Sequence, residues 1–353
     1  MISNQFQLGS MVRLVYIMKK DSLKEIKASN LVRGAMQGMA DSLNDPYSSY
    51  LSSNDYKELN ERLAASFGGV GIVMAPNDKD QIVVVAPIKK TPAERAGIKS
   101  GDIITKINGK STEKMNPDQA VQLIRGKNGT RVKLSVYREK DQKEYSFNLV
   151  RRKINVPSVD SKIVKKEPKI AYIQIVQFTS KTPEEFLDQL NNMMDKGMEG
   201  LIIDLRDDPG GDFGSAVEIA DTIMDKGNIV KIVNREGTSE VYSSTPGGIN
   251  VPIAVLVNKG SASAAEILSG ALKDNGLAVL VGEKTYGKGL VQTVYPLMGG
   301  DALKLTTQKY FTPRGIDINR KGIAPDYVVT ALEDSEEDTQ LDKAISLIAD
   351  KIQ

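Results

Sequence analysis

Two glycine-containing segments carry the side chains of this sequence that are best placed to do chemistry. Residues 258–267 read NKGSASAAEI and lie between an apolar stretch and a pattern typical of a helix. A serine at a helix N-terminus is close to free N–H groups that favour a developing anion. Ser261 and Ser263 are therefore candidate nucleophiles. Serine is also a preferred helix cap in any protein, so a purely structural cap is the competing interpretation.

The second segment, residues 285–292, reads TYGKGLVQ and places Lys288 between two glycines. A lysine that is desolvated among apolar groups binds its proton less tightly and can act as a general base. Gln292 follows four residues later, at a spacing that suits a hydrogen bond to the lysine amine. A solvated lysine in an ordinary turn is the alternative.

A glycine pair completes the set of candidates. Residues 207–211 read DDPGG and follow an apolar strand pattern. Gly210 and Gly211 expose backbone N–H groups of the kind that form an oxyanion hole. The alternative is a plain strand-to-helix turn, in which glycine pairs are common.

Composition narrows the chemistry further. The 353 residues include no cysteine and no histidine. A Ser-His-Asp triad, a cysteine nucleophile, disulfides and His- or Cys-ligated metal sites are therefore excluded. The remaining bases are Lys, Asp, Glu, Tyr or an N-terminal amine. The net charge of +2, with both signs interspersed, offers no electrostatic reason to expect a nucleic acid partner.

Three patterns follow one another along the chain. Residues 1–65 show apolar stripes at helical spacing. The next 85 or so residues favour a small β-rich domain, in which Thr91 is expected to cap a short helix and Glu94 to close a capping box. From about residue 168, strands and helices alternate, which predicts an α/β layer with buried parallel strands. Residues 339–352 read as one amphipathic helix.

Taken together, the segments resemble the carboxy-terminal processing proteases, which are serine–lysine peptidases with an embedded PDZ domain. The resemblance covers residues 12–330 and includes DLR with the PGG turn, GSASA and YGKG, in that order. It implies Ser263 rather than Ser261 as nucleophile, Lys288 as base and Gln292 as the residue that positions the lysine. It also implies oxyanion donors at the backbone N–H groups of Gly210, Gly211 and Ala264.

One residue departs from the family pattern. The family often carries asparagine before Pro-Gly-Gly, where this chain has Asp208. A carboxylate at that position would oppose negative charge in an oxyanion hole unless it points away.

The PDZ-like region suggests how substrates are chosen. Residues 68–72 read GGVGI and resemble the loop with which PDZ domains receive a terminal carboxylate, which adds Gly69, Val70, Gly71 and Ile72 to the expected substrate-binding residues. Arg125 is expected either to approach that groove or to pair with an acid of the protease domain. A solvent-facing helix-end cation is the alternative. The resemblance also implies that the PDZ domain gates the active site until a substrate C-terminus docks.

The resemblance implies an α/β multidomain fold: a crotonase-like protease core with an inserted PDZ domain and helical N- and C-terminal segments. The expected limits are 1–66 for the N-terminal helices, 67–152 for the PDZ domain, 153–330 for the protease core with its cap, and 331–353 for the C-terminal helix. The apolar stripes of the terminal helices predict a homodimer. Folding of those helices back onto their own chain is the alternative.

Partners and location complete the expectations. Protein substrates with exposed C-terminal tails and an activating adaptor are the expected partners, with no cofactor and no metal. The family works mainly in bacterial envelopes or organelle lumens, so an extracytoplasmic location with an upstream signal or anchor outside this chain is expected. Two other functions fit the same patterns: a PDZ-bearing binding scaffold with an inert protease fold, and an acyl-transfer enzyme of the crotonase type.

Overall fold

The amino-terminal segment is mainly helical. A computed structural model of the protein describes residues 5–63, 66–88, 90–331 and 337–352. The segment contains α1 (Gln5–Asp21), α2 (Ala28–Asp41), β1 (Ser49–Leu51) and α3 (Ser53–Leu63). The prediction that residues 1–65 are helical is therefore wrong at β1. This strand is only three residues long and pairs with residues 302–304, about 250 positions away, so no local pattern announces it.

The β-rich region forms a main sheet, a separate pair of strands and two short helices. Its elements are β2 (Ser66–Gly69), β3 (Ile72–Pro76), β4 (Ile82–Pro87), α4 (Pro92–Arg95), β5 (Ile103–Ile107), β6 (Lys110–Ser111), α5 (Pro117–Ile124), β7 (Arg131–Arg138), β8 (Lys143–Val150) and β9 (Arg152–Asn155). The sheet order is β3-β4-β5-β7-β8, with β6 on β5. β2 pairs separately with β9. The chain therefore enters the β-rich region along β2 and leaves it along β9, and these two strands run side by side.

The predicted capping box at α4 does not form. The Thr91 hydroxyl donates to the carbonyl of Ile88 at 2.6 Å instead of accepting from the helix. Glu94 accepts the N–H of Lys90, one residue before the expected position. The helix is only four residues long, and Thr91 is buried against the Gly71 loop, so tertiary packing decides where its hydroxyl points.

The α/β alternation is confirmed in the following region. It contains β10 (Val159–Lys166), β11 (Lys169–Ile175), α6 (Thr182–Asp195), β12 (Gly200–Asp204), α7 (Phe213–Ile223), β13 (Gly227–Asn234), β14 (Ser239–Ser244), β15 (Ile253–Val257), α8 (Ala264–Asp274), β16 (Ala278–Gly282), β17 (Leu290–Pro296), β18 (Ala302–Phe311) and β19 (Tyr327–Val328). One sheet has the order β10-β11-β12-β15-β16-β19 and is parallel from β11 onward.

Every residue of β12 and β15 is buried, because the sheet is covered on both faces. On one face Ile203 and Val255 pack with side chains of α6, α7 and α8. On the other face Ile202 and Leu256 pack with Ile348 of the carboxy-terminal helix α9 (Thr339–Ile352). The β12 and β15 ends that carry the glycine pair and the candidate serine therefore point to the same edge of the sheet.

A second sheet provides the other wall of the site. In it β18 pairs with β17, β1 and β13, and β13 pairs with β14. Its strand β17 follows Lys288 directly, so the lysine enters the site from this sheet while the serine enters from the parallel one.

Hydrogen bonds from Arg206 attach the carboxy-terminal segment to the end of β12, next to the glycine turn. Arg206 donates to Asp204 and to Asp338, at 2.6 Å and 2.8 Å. Asp204 is buried and also accepts the hydroxyl proton of Tyr172 at 2.7 Å. The end of β12 is thereby joined to the start of α9. In the parts of the chain that the structure describes, no helix is long and apolar enough to cross a membrane.

Candidate active site

Ser263 lies in a strained turn between β15 and α8. Its φ and ψ are +54° and −112°, a combination that only glycine adopts easily. Small residues surround it: Ala262 and Ala264 flank it, and Gly210 from the β12 turn approaches so closely that a Cβ there would lie 2.8 Å from Ser263 Cβ. The surrounding residues hold the Ser263 backbone in this unfavourable conformation, which indicates a functional constraint at this serine.

The two candidate serines have different environments. Ser261 is buried, its hydroxyl donates to the carbonyl of Leu205 at 2.7 Å and accepts the N–H of Asn258 at 2.9 Å. No group of the described residues accepts a hydrogen bond from the Ser263 hydroxyl, and the N–H of Glu266 donates to the Ser263 carbonyl at 2.9 Å. Ser263 lines a cavity of about 410 Å³ that also contains Lys288 and Gln292. Ser261 is therefore structural, and Ser263 is the serine whose hydroxyl is available.

A neighbouring loop packs so closely on both sides of Lys288 that only glycine fits at positions 287 and 289. A Cβ at Gly287 would lie 2.7 Å from the N atom of Gly322, and one at Gly289 would lie 2.8 Å from the N atom of Asn319. The 318–322 loop thus presses on both flanks of the lysine. Lys288 is only partly exposed, so it is not a solvated turn lysine.

Glu266 joins the serine turn to the lysine turn. Its side chain is fully buried and accepts hydrogen bonds from the N–H of Ser263 at 2.9 Å, of Gly287 at 2.8 Å and of Lys288 at 2.8 Å. The hydroxyl of Thr285 donates to it at 2.5 Å. One carboxylate therefore sets the distance between two backbone segments that lie 25 residues apart.

The surroundings of the Lys288 amine lower its affinity for a proton. Burial lowers the pKa of Lys288 first, the positive charge of Lys304 lowers it further, and Glu266 opposes both. The amine nitrogen lies 5.1 Å from the centre of the Tyr47 ring, which packs on it from the amino-terminal segment. A lysine with a lowered pKa can be neutral when it meets a serine hydroxyl.

Gln292 of β17 lines the same cavity, four residues after Lys288. Its amide nitrogen donates to the carbonyl of Leu290 at 3.3 Å. A hydrogen bond between Gln292 and the Lys288 amine stays a prediction. Tyr310 of β18 contributes a contact that the sequence did not suggest: its buried hydroxyl lies 3.0 Å from the Ser263 carbonyl oxygen and also contacts that of Lys288.

The expected oxyanion donors divide into two groups. The N–H of Gly210 already donates to the side chain of Asp208 at 2.7 Å. The N–H groups of Gly211 and Ala264 have no hydrogen-bond partner within the described chain. Gly211 is held by Phe178, whose carbonyl would collide with a Cβ at this position. Gly211 and Ala264 are therefore the donors that are free to meet an oxyanion.

The amino-terminal helix α3 and the second sheet both contribute walls to this cavity. Leu59 and Leu63 of α3 face the glycine turn and the serine, and Lys304 of β18 lies beside the lysine. The carbonyl of Leu63 accepts the N–H of Ser180, which attaches the end of α3 to the core. Within the described residues, no cluster of acidic side chains suited to a metal ion is present.

The expected PDZ loop is built as a tight turn. Gly71 has φ of +79°, and a Cβ there would collide with the Thr91 side chain. Val70 is buried and Ile72 packs partly against the core of this domain, while Gly69 ends β2 opposite Arg152. Ile72 begins β3, which lies at the edge of its sheet beside α5. An open strand edge next to a helix is the geometry in which an added peptide strand can bind.

Arg125 precedes Gly126, whose N–H donates to the carbonyl of Gly68 at 2.9 Å. Arg125 is the C-cap of α5 and lines a second cavity of about 440 Å³. Glu58 and Glu61 of α3 line the same cavity, together with residues 176 and 177 after β11. The structure places Arg125 where the PDZ region faces the amino-terminal helix and the core.

Comparison with protein families extends these observations over most of the chain. Residues 169–329 match the description "Peptidase family S41", and residues 83–138 match "PDZ domain". Residues 5–55 match "Activating protease CtpB N-terminal domain".

Two curated relatives align over most of this sequence. A "Probable CtpA-like serine protease" of Staphylococcus aureus strain N315 is 38% identical over 331 residues, which are 93% of this chain and 66% of the relative. The "Carboxy-terminal processing protease CtpA" of Bacillus subtilis is 41% identical over 309 residues, covering 87% of this chain and 66% of the relative. The chain thus spans slightly less than two thirds of the length of these proteins.

A solved structure with a similar fold is titled "Photosystem II D1 C-terminal processing protease". It is 26% identical, covers 99% of this chain and 98% of its own, and has a TM-score of 0.57. A putative S41 protease from Bacteroides fragilis has the same TM-score at 15% identity, covers 96% of this chain and 97% of its own, and supports the fold alone.

Glu266→Gln tests the link between the two turns. Glutamine would replace one carboxylate oxygen, an acceptor, with an NH2 group, a donor that would face the N–H groups now bound to Glu266. Each buried N–H that loses its acceptor costs about 1–3 kcal/mol, so we expect a loss of about 2–4 kcal/mol in the free energy of unfolding, measured by urea denaturation. Glu113→Gln, at an exposed position, is the control. Equal stability of the two variants would contradict the role of Glu266.

Proposed function

Because the chain belongs to the carboxy-terminal processing proteases of peptidase family S41, we propose that it is a serine endopeptidase with Ser263 as nucleophile and Lys288 as base. The family expected from the sequence motifs is confirmed by these matches. One observation carries the proposal: an available serine hydroxyl on a strained turn and a partly buried lysine share one cavity, and a single carboxylate holds their two backbones.

The mechanism uses the residues in the following roles. The neutral Lys288 amine accepts the hydroxyl proton as Ser263 Oγ attacks the scissile carbonyl carbon. The oxyanion that forms is stabilised by the N–H groups of Gly211 and Ala264. The lysine ammonium then gives its proton to the leaving amine, and the C–N bond breaks. Water, activated by Lys288, hydrolyses the acyl-enzyme. Gln292 orients the lysine.

Substrate choice follows from the edge strand β3. A protein C-terminus adds to β3 as a further strand, with its carboxylate at Gly69, Val70 and Gly71 and an apolar side chain in the groove beside α5. The edge position of β3 supports this proposal. Docking of the tail relieves a block of the active site, and an activating adaptor assists it. The match of residues 5–55 to an activating protease's domain fits such control. An extracytoplasmic location in a bacterial envelope is part of the same proposal.

Cleavage of an unstructured protein with an apolar C-terminus tests the function. We expect Ser263→Ala and Lys288→Ala each to lower kcat by at least about a thousandfold, since removal of a nucleophile or its base has effects of that size. Ser100→Ala and Lys284→Ala change exposed residues outside the site and serve as controls. Circular dichroism of each variant verifies folding.

Each outcome of this assay is informative. Cleavage that survives in the Ser263 or Lys288 variant would show that the assigned site is wrong. Tail binding without cleavage by the unchanged protein would favour the scaffold function. Thioester turnover that needs added coenzyme A would favour the acyl-transfer alternative.

Lys304→Met tests whether Lys288 acts as a neutral base. The folded site lowers the pKa of Lys288, so kcat/KM should rise with pH as the amine loses its proton. Removing the positive charge of Lys304 removes one cause of the lowering. We therefore expect the rising limb of kcat/KM to move to higher pH. Lys309→Met, on the same strand but exposed, is the control. An unchanged limb in Lys304→Met would contradict the assignment.

The homodimer is proposed from the exposed apolar side chains of α1 and α2. Val12 is 72% exposed, Leu14 57%, Val32 54% and Met39 58%. We expect sedimentation velocity to show a dimer at micromolar concentration and Val12→Glu/Leu14→Glu to dissociate it into monomers. Arg13→Glu changes the charge of α1 but leaves the apolar face intact. A monomer in the unchanged protein would favour helices that fold onto their own chain.

A further inference from the structure

Asp208 is a buried carboxyl group inside the proposed oxyanion turn. Its exposed fraction is 0%. One oxygen accepts the N–H of Gly210 at 2.7 Å. The other, Oδ2, is buried and has no hydrogen-bond partner in the described chain. A carboxylate in such a place would carry a full charge with a single hydrogen bond, which is very unfavourable in a dry interior.

The backbone of Asp208 is attached to the nucleophile loop. Its carbonyl accepts the N–H of Ala262 at 2.9 Å. Two residues on, Gly210 packs so closely on this loop that a Cβ there would lie 2.8 Å from the N atom of Ala264. Ala264 carries one of the two proposed oxyanion donors. The Asp208 carboxyl is therefore linked to the Ala264 donor through Gly210, whose N–H it accepts.

We propose that Asp208 is a positioning residue that works as a neutral carboxylic acid, holding the Gly210 N–H and the glycine turn, and that loss of its proton opposes oxyanion formation. The second part rests on the proposed protease function. An ionised Asp208 would place negative charge beside an oxyanion that needs positive potential. It would also bind the Gly210 N–H more strongly and pull on the turn.

The surroundings of Asp208 support the neutral form. Burial raises the pKa of its carboxyl to about 8, against the smaller opposing effect of the Gly210 hydrogen bond. The charged side chains on the neighbouring elements are Arg206, Asp207, Asp212, Glu266 and Lys288. Within the described chain their contacts are to other groups, and none bonds to the Asp208 carboxyl. Among the described residues, no cation contacts the Asp208 carboxyl to compensate its charge if it ionises.

The proposal adds a second limb to the pH dependence of the reaction. Loss of a proton from Lys288 makes kcat/KM rise with pH, and loss of a proton from Asp208 makes it fall above about pH 8. Asp208→Asn keeps the shape of the side chain and an oxygen for Gly210, but it cannot ionise.

The first arm of the test measures kcat/KM from pH 6 to 10 for the unchanged protein and Asp208→Asn. Both proteins share the Lys288 limb, so we divide kcat/KM of the unchanged protein by that of Asp208→Asn, and we expect this ratio to fall by up to tenfold per pH unit above about pH 8. A ratio that does not change with pH would overturn the proposal while leaving the Ser263–Lys288 assignment intact.

The second arm needs no activity. A group whose folded pKa is raised stabilises the fold fully below its unfolded pKa and loses that effect as pH rises through the folded value. We therefore expect the folding equilibrium constant of the unchanged protein, divided by that of Asp208→Asn, to fall up to tenfold per pH unit between about pH 4 and 8, measured by urea denaturation. Asp207→Asn, at an exposed carboxyl, should not show this trend. A ratio independent of pH would refute the neutral acid even if no substrate is ever cleaved.

Discussion

The buried carboxylate of Glu266 is the interaction on which the geometry of the site depends. It accepts hydrogen bonds from the backbone N–H groups of Ser263, Gly287 and Lys288 and from the hydroxyl of Thr285. A fully buried charge is tolerable only when hydrogen bonds replace its hydration. Four donors do so here, and in return the serine turn and the lysine turn cannot move independently.

Strain and close packing follow from that constraint. Ser263 has a backbone conformation that is unfavourable for any residue with a side chain, and the bonds to Glu266 and Tyr310 hold it there. Gly210, Gly287 and Gly289 are required because neighbouring loops occupy the space of a Cβ. The parallel sheet provides the serine and the glycine turn, the second sheet provides the lysine, and α3 closes the cavity.

Burial, more than ion pairing, favours the neutral forms of Lys288 in this cavity and of Asp208 in the adjoining glycine turn. Lys288 and Lys304 are cations near each other, and burial together with their repulsion favours a neutral Lys288. Asp208 is a carboxyl that burial makes neutral near neutral pH. Both groups avoid charge in the place where a reaction would create it. Such opposed tuning of a base and an acid is typical of sites that operate within a limited pH range.

The sequence alone limited the possible chemistry and predicted the order of the elements. The absence of histidine and cysteine restricted a general base to Lys, Asp, Glu, Tyr or an N-terminal amine, and the periods of the apolar residues predicted the helices and the buried parallel strands. Only the tertiary structure decided which contacts form. β1 pairs with residues about 250 positions away, and the Thr91 hydroxyl points away from the helix that it was expected to cap. Asp208 accepts the Gly210 N–H, and Glu266 joins the serine turn to the lysine turn. The physical reason is that local patterns encode backbone preference and burial, whereas the partner of a buried polar group is chosen by segments that meet only when the chain has folded.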